Sequence, residues 1–195
     1  MSIDSVVQPL GPLSLERAPA TTAALAPDEI VRAGVVQVPQ GRRLFGALTV
    51  RENLLMGAYL RRDREVASDL ERVLSLLPRL KERFTFLAGR LSGGEQQQVA
   101  IARALMARPK VLLIDEMSLG LAPYIVTRLM QVVREAADEQ GVGVVLVEQH
   151  VQEALRIADR VCVVAGGRMT LTGNVEDVVD NVESAFLADV LGQTA

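Results

Sequence analysis

Apolar residues along the chain form four short, nearly continuous runs, each with the length of a β-strand. The runs lie within residues 35–38, 111–116, 143–148 and 161–164. Strands that are apolar throughout, rather than alternately apolar and polar, are typical of a parallel sheet covered on both faces. Gly166-Gly167 predicts a hairpin from the last run into a further strand over Met169–Thr172. The pattern therefore predicts an α/β fold with a mostly parallel sheet.

In the segments between these strands, apolar residues recur at the spacing of an α-helix. The predicted helices begin at Pro27, Thr49, Arg62, Gly93 and Pro123. Thr49 and Glu52 form a capping box, the helix from Arg62 extends to residue 77, and residues 79–90 are expected to be helical as well. Gly34 and Gly141 end the helices that begin at Pro27 and Pro123, as glycine commonly does. Two short helices are expected to close the chain. Residues 1–26 mix short apolar pieces with prolines and lack a sustained period, so we expect them to be weakly ordered.

Ser92-Gly93-Gly94-Glu95 predicts the start of a helix. Ser92 is a favourable N-cap residue, Glu95 completes a capping box, and apolar residues at helical spacing follow. Each glycine in the first turn lowers helix stability by about 1 kcal/mol relative to alanine, which suggests a close approach to the backbone. A bound anion is one candidate, because free N–H groups and the helix dipole attract it. An ordinary capped helix is the alternative.

The apolar run Val111-Leu112-Leu113-Ile114 ends in two adjacent carboxylates, Asp115 and Glu116. A buried strand that delivers acidic residues at its carboxyl end is suited to hold the Mg²⁺ of a bound nucleotide. The alternative is that these carboxylates only accept hydrogen bonds from backbone donors at the strand end.

Three motifs, in this order, resemble those of the nucleotide-binding subunit of ABC transporters. LSGGEQQQ at residues 91–98 is similar to the signature motif, VLLIDE at 111–116 to Walker B, and SLGLAP at 118–123 to the D-loop. Met117 stands where the family commonly has proline. GRRLF and LTVRENL, which follow Gln40, resemble the subgroup that imports branched-chain amino acids, although the paired arginines also suit a solvated loop.

The resemblance implies a role for each candidate site residue. Gln40 occupies the Q-loop position, where its amide reaches Mg²⁺ and the attacking water; otherwise it is a plain turn residue. Asp115 acts through Mg²⁺, and Glu116 polarises the water. Gln149 stands at the position of the family's switch histidine, so His150 is expected to cap the next helix or to be exposed. The residues that contact ATP from the signature motif are Ser92, Gly93, Gly94 and Glu95.

The resemblance also implies the fold and the partners. We expect a RecA-like P-loop NTPase core over residues 27–195, truncated at its N-terminus, with a helical subdomain over about residues 49–108. Two ABC ATPase subunits are expected to bind ATP and Mg²⁺ head to tail. Transmembrane permease subunits would hold them at the cytoplasmic face of the inner (plasma) membrane.

In the family a phosphate-binding loop, G-x-x-G-x-G-K-[ST], precedes the Gln40 region, and no such string occurs in this sequence. Its strand belongs between the strands at 143–148 and 161–165, so we expect a central strand to be missing. Truncation, a mis-set start codon and a deletion each explain this. Three lost charge-assisted hydrogen bonds would weaken ATP binding by the isolated chain on the order of 10³- to 10⁶-fold.

The expected function is that of an ATP-binding subunit of an importer for branched-chain amino acids, which couples ATP binding and hydrolysis to transport. One alternative is a catalytically inactive partner that offers only its signature motif to a complete subunit. Another is a remnant with no activity.

Composition narrows the function classes. A net charge of −3 and a pI near 5.3 lack the basic character that nucleic-acid binding usually needs. No apolar run approaches the roughly 18 residues of a membrane span. Pro9 and Pro12 interrupt an N-terminus without a basic start, so we expect no signal peptide. Cys162 lies in an apolar run and is expected to be a small buried hydrophobic residue, which suits a reducing cytoplasm.

Overall fold

The computed structural model describes residues 6–10, 25–165, 167–177 and 179. The strands are β1 (Val6–Leu10), β2 (Val35–Val38), β3 (Val111–Asp115), β4 (Gly143–Glu148), β5 (Arg160–Ala165) and β6 (Arg168–Asn174). The helices are α1 (Pro27–Arg32), α2 (Val50–Gly57), α3 (Val66–Leu76), α4 (Pro78–Glu82), α5 (Gly93–Leu105), α6 (Pro123–Gln140) and α7 (Val151–Leu155), with a 3-10 turn at Ala88–Arg90.

The six strands form one sheet in the order β2-β3-β4-β1-β5-β6. β2, β3 and β4 are parallel, with Val35 opposite Val111 and Val111 opposite Gly143. β1 is antiparallel to both β4 and β5, so β4 and β5 point in the same direction. β6 returns antiparallel to β5. The α/β fold agrees with the sequence prediction, and β2, β3, β4 and β5 share one direction as expected, whereas β1 and β6 run antiparallel to their neighbours.

β1 differs from the sequence prediction in two ways. Val6–Leu10 lie in the segment that we expected to be weakly ordered, and they occupy the central position that we expected to be empty. Their register runs from Val6 opposite Glu148 to Leu10 opposite Val144. β4 and β5 would otherwise present unpaired N–H and C=O groups to each other, and pairing with β1 satisfies them. Residues 1–5 and 11–24 lie outside the described residues.

The helices between β2 and β3 are shorter than predicted. The expected helix at 62–77 is Val66–Leu76, and the stretch 79–90 contains only the end of α4 and the 3-10 turn. The capping box before α2 is confirmed: Glu52 N–H donates to Thr49 Oγ1 (3.2 Å), and Thr49 N–H donates to Glu52 Oε2 (2.7 Å). The two short helices expected at the C-terminus fall largely outside the described residues.

The main hydrophobic core lies between the sheet and helices α5 and α6. α5 contributes the buried side chains Val99, Ile101, Ala102 and Leu105, as its spacing predicted. Met117, in the turn after β3, is 1% exposed and packs in this core. The methionine that stands where the family commonly has proline therefore contributes to core packing. In the described part of the chain, no helix is long and apolar enough to cross a membrane.

A buried ionic cluster fixes α3 to the chain that follows α5. Asp69 on α3 is 1% exposed. It forms ion pairs with Arg61 (2.7 Å) and Arg108 (2.6 Å), and a further one with Arg72. A buried carboxylate requires such partners, so the cluster holds the helical segment against the core.

Candidate functional site

Four of the predicted site residues meet at one edge of the sheet. β2, β3 and β4 are parallel neighbours, so their carboxyl ends lie side by side. Gln40 follows β2, Asp115 ends β3 with Glu116 next to it, and Gln149 follows β4. This edge is where open parallel sheets commonly bind their ligands.

The Glu116 carboxylate lies between two glutamine amides. Gln40 Nε2 donates to Glu116 Oε2 at 2.6 Å, and Gln149 Nε2 donates to Glu116 Oε1 at 2.7 Å. The donors stand 76 and 33 positions away along the chain, so the fold alone brings them together. Both glutamines are exposed and Glu116 is half-buried, so solvent reaches this group.

The backbone of Glu116 is left-handed, with φ of 46°. A residue with a Cβ atom adopts this region at a cost of about 1–2 kcal/mol, so its surroundings must hold it there. Its own N–H donates to Val147 O at 2.9 Å, which extends the pairing of β3 with β4 by one bond. The turn thereby directs Glu116 to the strand ends where both glutamines lie.

Asp115 and Gln40 are the residues that the sequence assigned to a metal. Asp115 is half-buried at the last position of β3, and Gln40 is exposed beside it on the neighbouring strand's extension. Within the described ranges, no group of three or more His, Cys, Asp or Glu side chains could enclose a metal ion. One carboxylate and one amide nevertheless suit Mg²⁺, which is usually held by one or two protein ligands together with phosphates and water.

The second group of predicted site residues lies at the N-terminus of α5. Ser92 is the exposed N-cap, and the predicted capping box is present. Glu95 N–H donates to Ser92 Oγ (3.4 Å), and Ser92 N–H donates to Glu95 Oε2 (3.0 Å). Burial alone would raise the pKa of Glu95, but hydrogen bonds from Ser92 and Arg83 bring it below its ordinary value. Glu95 is therefore an ionised cap that stabilises the start of the helix.

The two glycines of this turn are in contact with other parts of the chain. A Cβ atom on Gly93 would lie 3.0 Å from an Nη atom of Arg42, and one on Gly94 would lie 3.1 Å from Ile125 Cγ2. Arg42 also donates to Gln96 Oε1 at 3.1 Å, so it is not the solvated loop residue of our alternative. Close packing is thus a second reason, besides anion binding, for glycine at positions 93 and 94.

A buried pair beside Glu116 escaped the sequence analysis. Ser118 N–H donates to Glu148 Oε1 at 3.0 Å, and the Ser118 hydroxyl donates to Glu148 Oε2. Burial raises the pKa of Glu148, although the Ser118 hydrogen bonds oppose the shift. The only signal in the sequence is a carboxylate at the end of an apolar strand, directly before Gln149.

The sequence also led to predictions for His150 and Cys162. His150 is at the N-cap position of α7 and is exposed, but its side chain makes no cap hydrogen bond. Cys162 is half-buried rather than buried, and burial raises the pKa of its thiol, so it does not present a reactive thiolate.

Comparison with known families decides the assignment. The family model described as "ABC transporter" matches residues 10–118, more than half of the chain. The chain belongs to the ABC transporter family. This agrees with the motifs identified in the sequence and with the RecA-like P-loop NTPase core that they imply.

Named relatives in this family include transport ATP-binding proteins. The "High-affinity branched-chain amino acid transport ATP-binding protein BraG" of Pseudomonas aeruginosa is 47% identical over 160 residues, which cover 81% of this chain and 68% of the relative. The "Probable branched-chain amino acid transport ATP-binding protein LivF" of Archaeoglobus fulgidus is 32% identical over 158 residues, which cover 81% of this chain and 67% of that protein.

Solved structures of the family share the fold. An ATP-binding cassette of an ABC transporter in its ADP conformation superposes with a TM-score of 0.74 at 26% identity, over 86% of this chain and 72% of that one. A nucleotide-free cassette gives a TM-score of 0.67 at 26% identity, over 82% and 68%. The ABC ATPase fold is therefore shown by both sequence and structure.

Proposed function

We propose that this chain is an ATP-binding subunit of an ABC importer for branched-chain amino acids, coupling ATP binding and hydrolysis to transport. The relatives named for branched-chain amino acid transport support the substrate class. The observation that carries the proposal is the Glu116 carboxylate, which is held between Gln40 and Gln149 where three parallel strands end.

The strand-end group supports a role in hydrolysis. Glu116 is the base that would orient and polarise the attacking water, and the two glutamine amides hold its carboxylate in place. Asp115 and Gln40 would hold Mg²⁺. When bound, Mg²⁺ neutralises charge on the phosphates. Because solvent reaches both glutamines, water can enter the site.

The signature group supports binding of ATP between two subunits. Ser92, Gly93, Gly94 and Glu95 present the N-terminus of α5, where free N–H groups and the helix dipole favour a phosphate. Leu119 (56% exposed) lies shortly before α6, and Tyr124 (74% exposed) lies in its first turn. Such large exposed hydrophobic side chains favour a protein interface. We assign this surface to a second ABC ATPase subunit, bound head to tail.

A groove on another face supports binding to the transmembrane permease subunits. It has a volume of about 510 Å³ and is formed by α1, β2, the segment after β2, α2 and α5. Its lining includes Phe45, Met56 and Tyr59, which are 49%, 40% and 68% exposed. The helical segment and the loop after Gln40 thus form one apolar surface. We place this surface against the permease, with the chain peripheral to the cytoplasmic face of the inner (plasma) membrane.

The alternative of a catalytically inactive partner or remnant is not favoured, because the relatives are named as transport ATP-binding proteins. The described residues also form an ordered sheet and a buried hydrophobic core. No nucleic-acid partner is proposed, since the net charge is −3.

ATP-dependent uptake of labelled leucine tests the proposal. Proteoliposomes would contain the permease and the second ATPase subunit, with or without this chain. We expect uptake only when the chain is present. Ser92→Arg should abolish uptake, because a bulky cation would take the place of a phosphate at α5. Ser75→Arg, on the exposed face of α3, is the matched control and should leave uptake unchanged. Equal uptake without the chain would contradict the proposal.

A further inference from the structure

β3 and β4 remain bonded to each other beyond their last registered pair, Asp115 opposite Val147. Glu116 N–H donates to Val147 O at 2.9 Å. Ser118 then donates twice to Glu148, from its N–H (3.0 Å) and from its hydroxyl. The last two bonds use a side chain as acceptor, so they are not part of the ordinary sheet ladder.

The Ser118–Glu148 pair is sealed from solvent. Ser118 is 3% exposed, Glu148 is 1% exposed, and Met117 between Glu116 and Ser118 is 1% exposed. A buried carboxylate must be hydrogen-bonded, and each of its two oxygens accepts a hydrogen bond from Ser118. The turn after β3 therefore cannot move away from β4 without removing two hydrogen bonds from a buried carboxylate.

This anchor follows directly after the strained residue of the site. Glu116 has a left-handed backbone, which persists only where neighbouring structure enforces it. On its N-terminal side Asp115 is held in the β3–β4 register, and on its C-terminal side Ser118 is held by Glu148. The strained turn is thus fixed at both ends.

We infer that Ser118 and Glu148 are positioning residues, which hold Glu116 in the conformation that receives the Gln149 amide. Glu148 precedes Gln149 in sequence, so one buried pair fixes both partners of the 2.7 Å contact between Gln149 and Glu116. The inference rests on the proposed function only for the catalytic role of Glu116. The coupling itself concerns contacts within this chain.

Side-chain NMR of the ¹⁵N-labelled 195-residue chain tests the inference without nucleotide. The readout is solvent exchange of the Gln149 side-chain amide, with its resonance assigned by its loss in Gln149→Leu. In Ser118→Ala, which removes one hydroxyl donor, and in Glu148→Ala, we expect exchange to become faster, on the order of tenfold. Glu148→Gln should keep the exchange rate of the parent chain, because its amide oxygen accepts from Ser118 N–H and its NH₂ group donates to the Ser118 hydroxyl.

Asp69→Asn is the matched control for a lost buried carboxylate. Asp69 is as buried as Glu148 and is hydrogen-bonded, but it lies on α3, in the ionic cluster with Arg61 and Arg108. We expect it to lower stability without changing exchange at Gln149. If Glu148→Ala does not fold by circular dichroism, Ser118→Ala alone decides the question.

Unchanged Gln149 exchange in folded Ser118→Ala, or equally fast exchange in Glu148→Gln and Ser118→Ala, would overturn the inference. Because no nucleotide is present, this outcome is independent of the proteoliposome assay. Loss of leucine uptake with an intact coupling would count against the proposed function alone.

Discussion

Glu116 directly follows β3 and Glu148 is the last residue of the neighbouring strand β4, yet their surroundings differ. Glu116 is half-buried beside two exposed amides. Glu148 is buried, and burial raises its pKa even though two hydrogen bonds from Ser118 oppose the shift. The protonated form of Glu148 is thus favoured more in the folded chain than in the unfolded chain, which links its ionisation to stability.

The first prediction concerns the pH dependence of that stability. Because the folded pKa of Glu148 is raised, its contribution is fully present below the unfolded pKa and is lost as pH rises through the folded pKa. Glu148→Gln should remove this decline, so its stability relative to the parent chain should improve as pH rises. Urea midpoints measured between about pH 4 and pH 8 check this. A constant difference across the range would contradict it.

Interactions that are local along the chain could be predicted from the sequence. The Ser92–Glu95 and Thr49–Glu52 capping boxes span three residues each, and both are present. The position of Glu116 after an apolar strand marked it as a candidate, but Gln40 and Gln149 were identified only through resemblance, because their contacts with Glu116 join residues 76 and 33 positions apart. The Ser118–Glu148 pair escaped because serine and glutamate carry no spacing rule across 30 residues.

Close backbone approach between α2 and α5 sets the shape of the helical segment. A Cβ atom on Gly57 would lie 1.9 Å from Arg103 O and 3.0 Å from Met106 Cβ. No side chain tolerates such a contact with backbone, so the two helices pack at this point only because residue 57 is glycine. This geometry places Met56 and Tyr59 at the groove beside α5.

The second prediction follows from that contact. Gly57→Ala should separate α2 from α5 and lower the free energy of unfolding by about 1–3 kcal/mol, despite the higher helix propensity of alanine. Gly46→Ala is the control, since its Cβ would lie an ordinary 3.5 Å from Gly89 Cα. Urea denaturation compares the two variants. A Gly57→Ala chain as stable as the Gly46→Ala chain would show that the helices are not in contact there.

β1 is the strand that its own sequence did not predict. The segment VVQPL is five residues long, contains Pro9 and does not alternate, so nothing local marked it as a strand. Its place is decided by pairing with β4 and β5, and β4 begins only at Gly143, far along the chain from β1. The long helices α5 and α6, by contrast, were predicted because apolar residues recur at helical spacing over several turns.

The third prediction tests β1. Removing residues 1–11 should expose the facing edges of β4 and β5, lower the thermal midpoint and promote aggregation. A chain shortened by residues 1–4 retains Val6–Leu10 and should behave as the parent. Differential scanning calorimetry with light scattering measures both effects. An unchanged midpoint after removal of residues 1–11 would mean that β1 does not support the sheet.

For the whole molecule, the fold carries two groups of site residues on separate elements. The strand-end group contains Gln40, Asp115, Glu116 and Gln149, and the signature group lies at the start of α5. The sequence contains no phosphate-loop string, so the signature group is best tested with a second subunit that supplies one. The α5 residues that hold it, Val99, Ile101, Ala102 and Leu105, are buried in the core.

The most direct test is therefore ATP-driven association of this chain with an intact ABC ATPase subunit, measured by sedimentation velocity with Mg²⁺. We predict a heterodimer that forms only with ATP, is lost in Ser92→Arg and is retained in Ser75→Arg, since only Ser92 lies at the start of α5. Association that is equal for the parent chain and Ser92→Arg, or absent for both, would contradict the account.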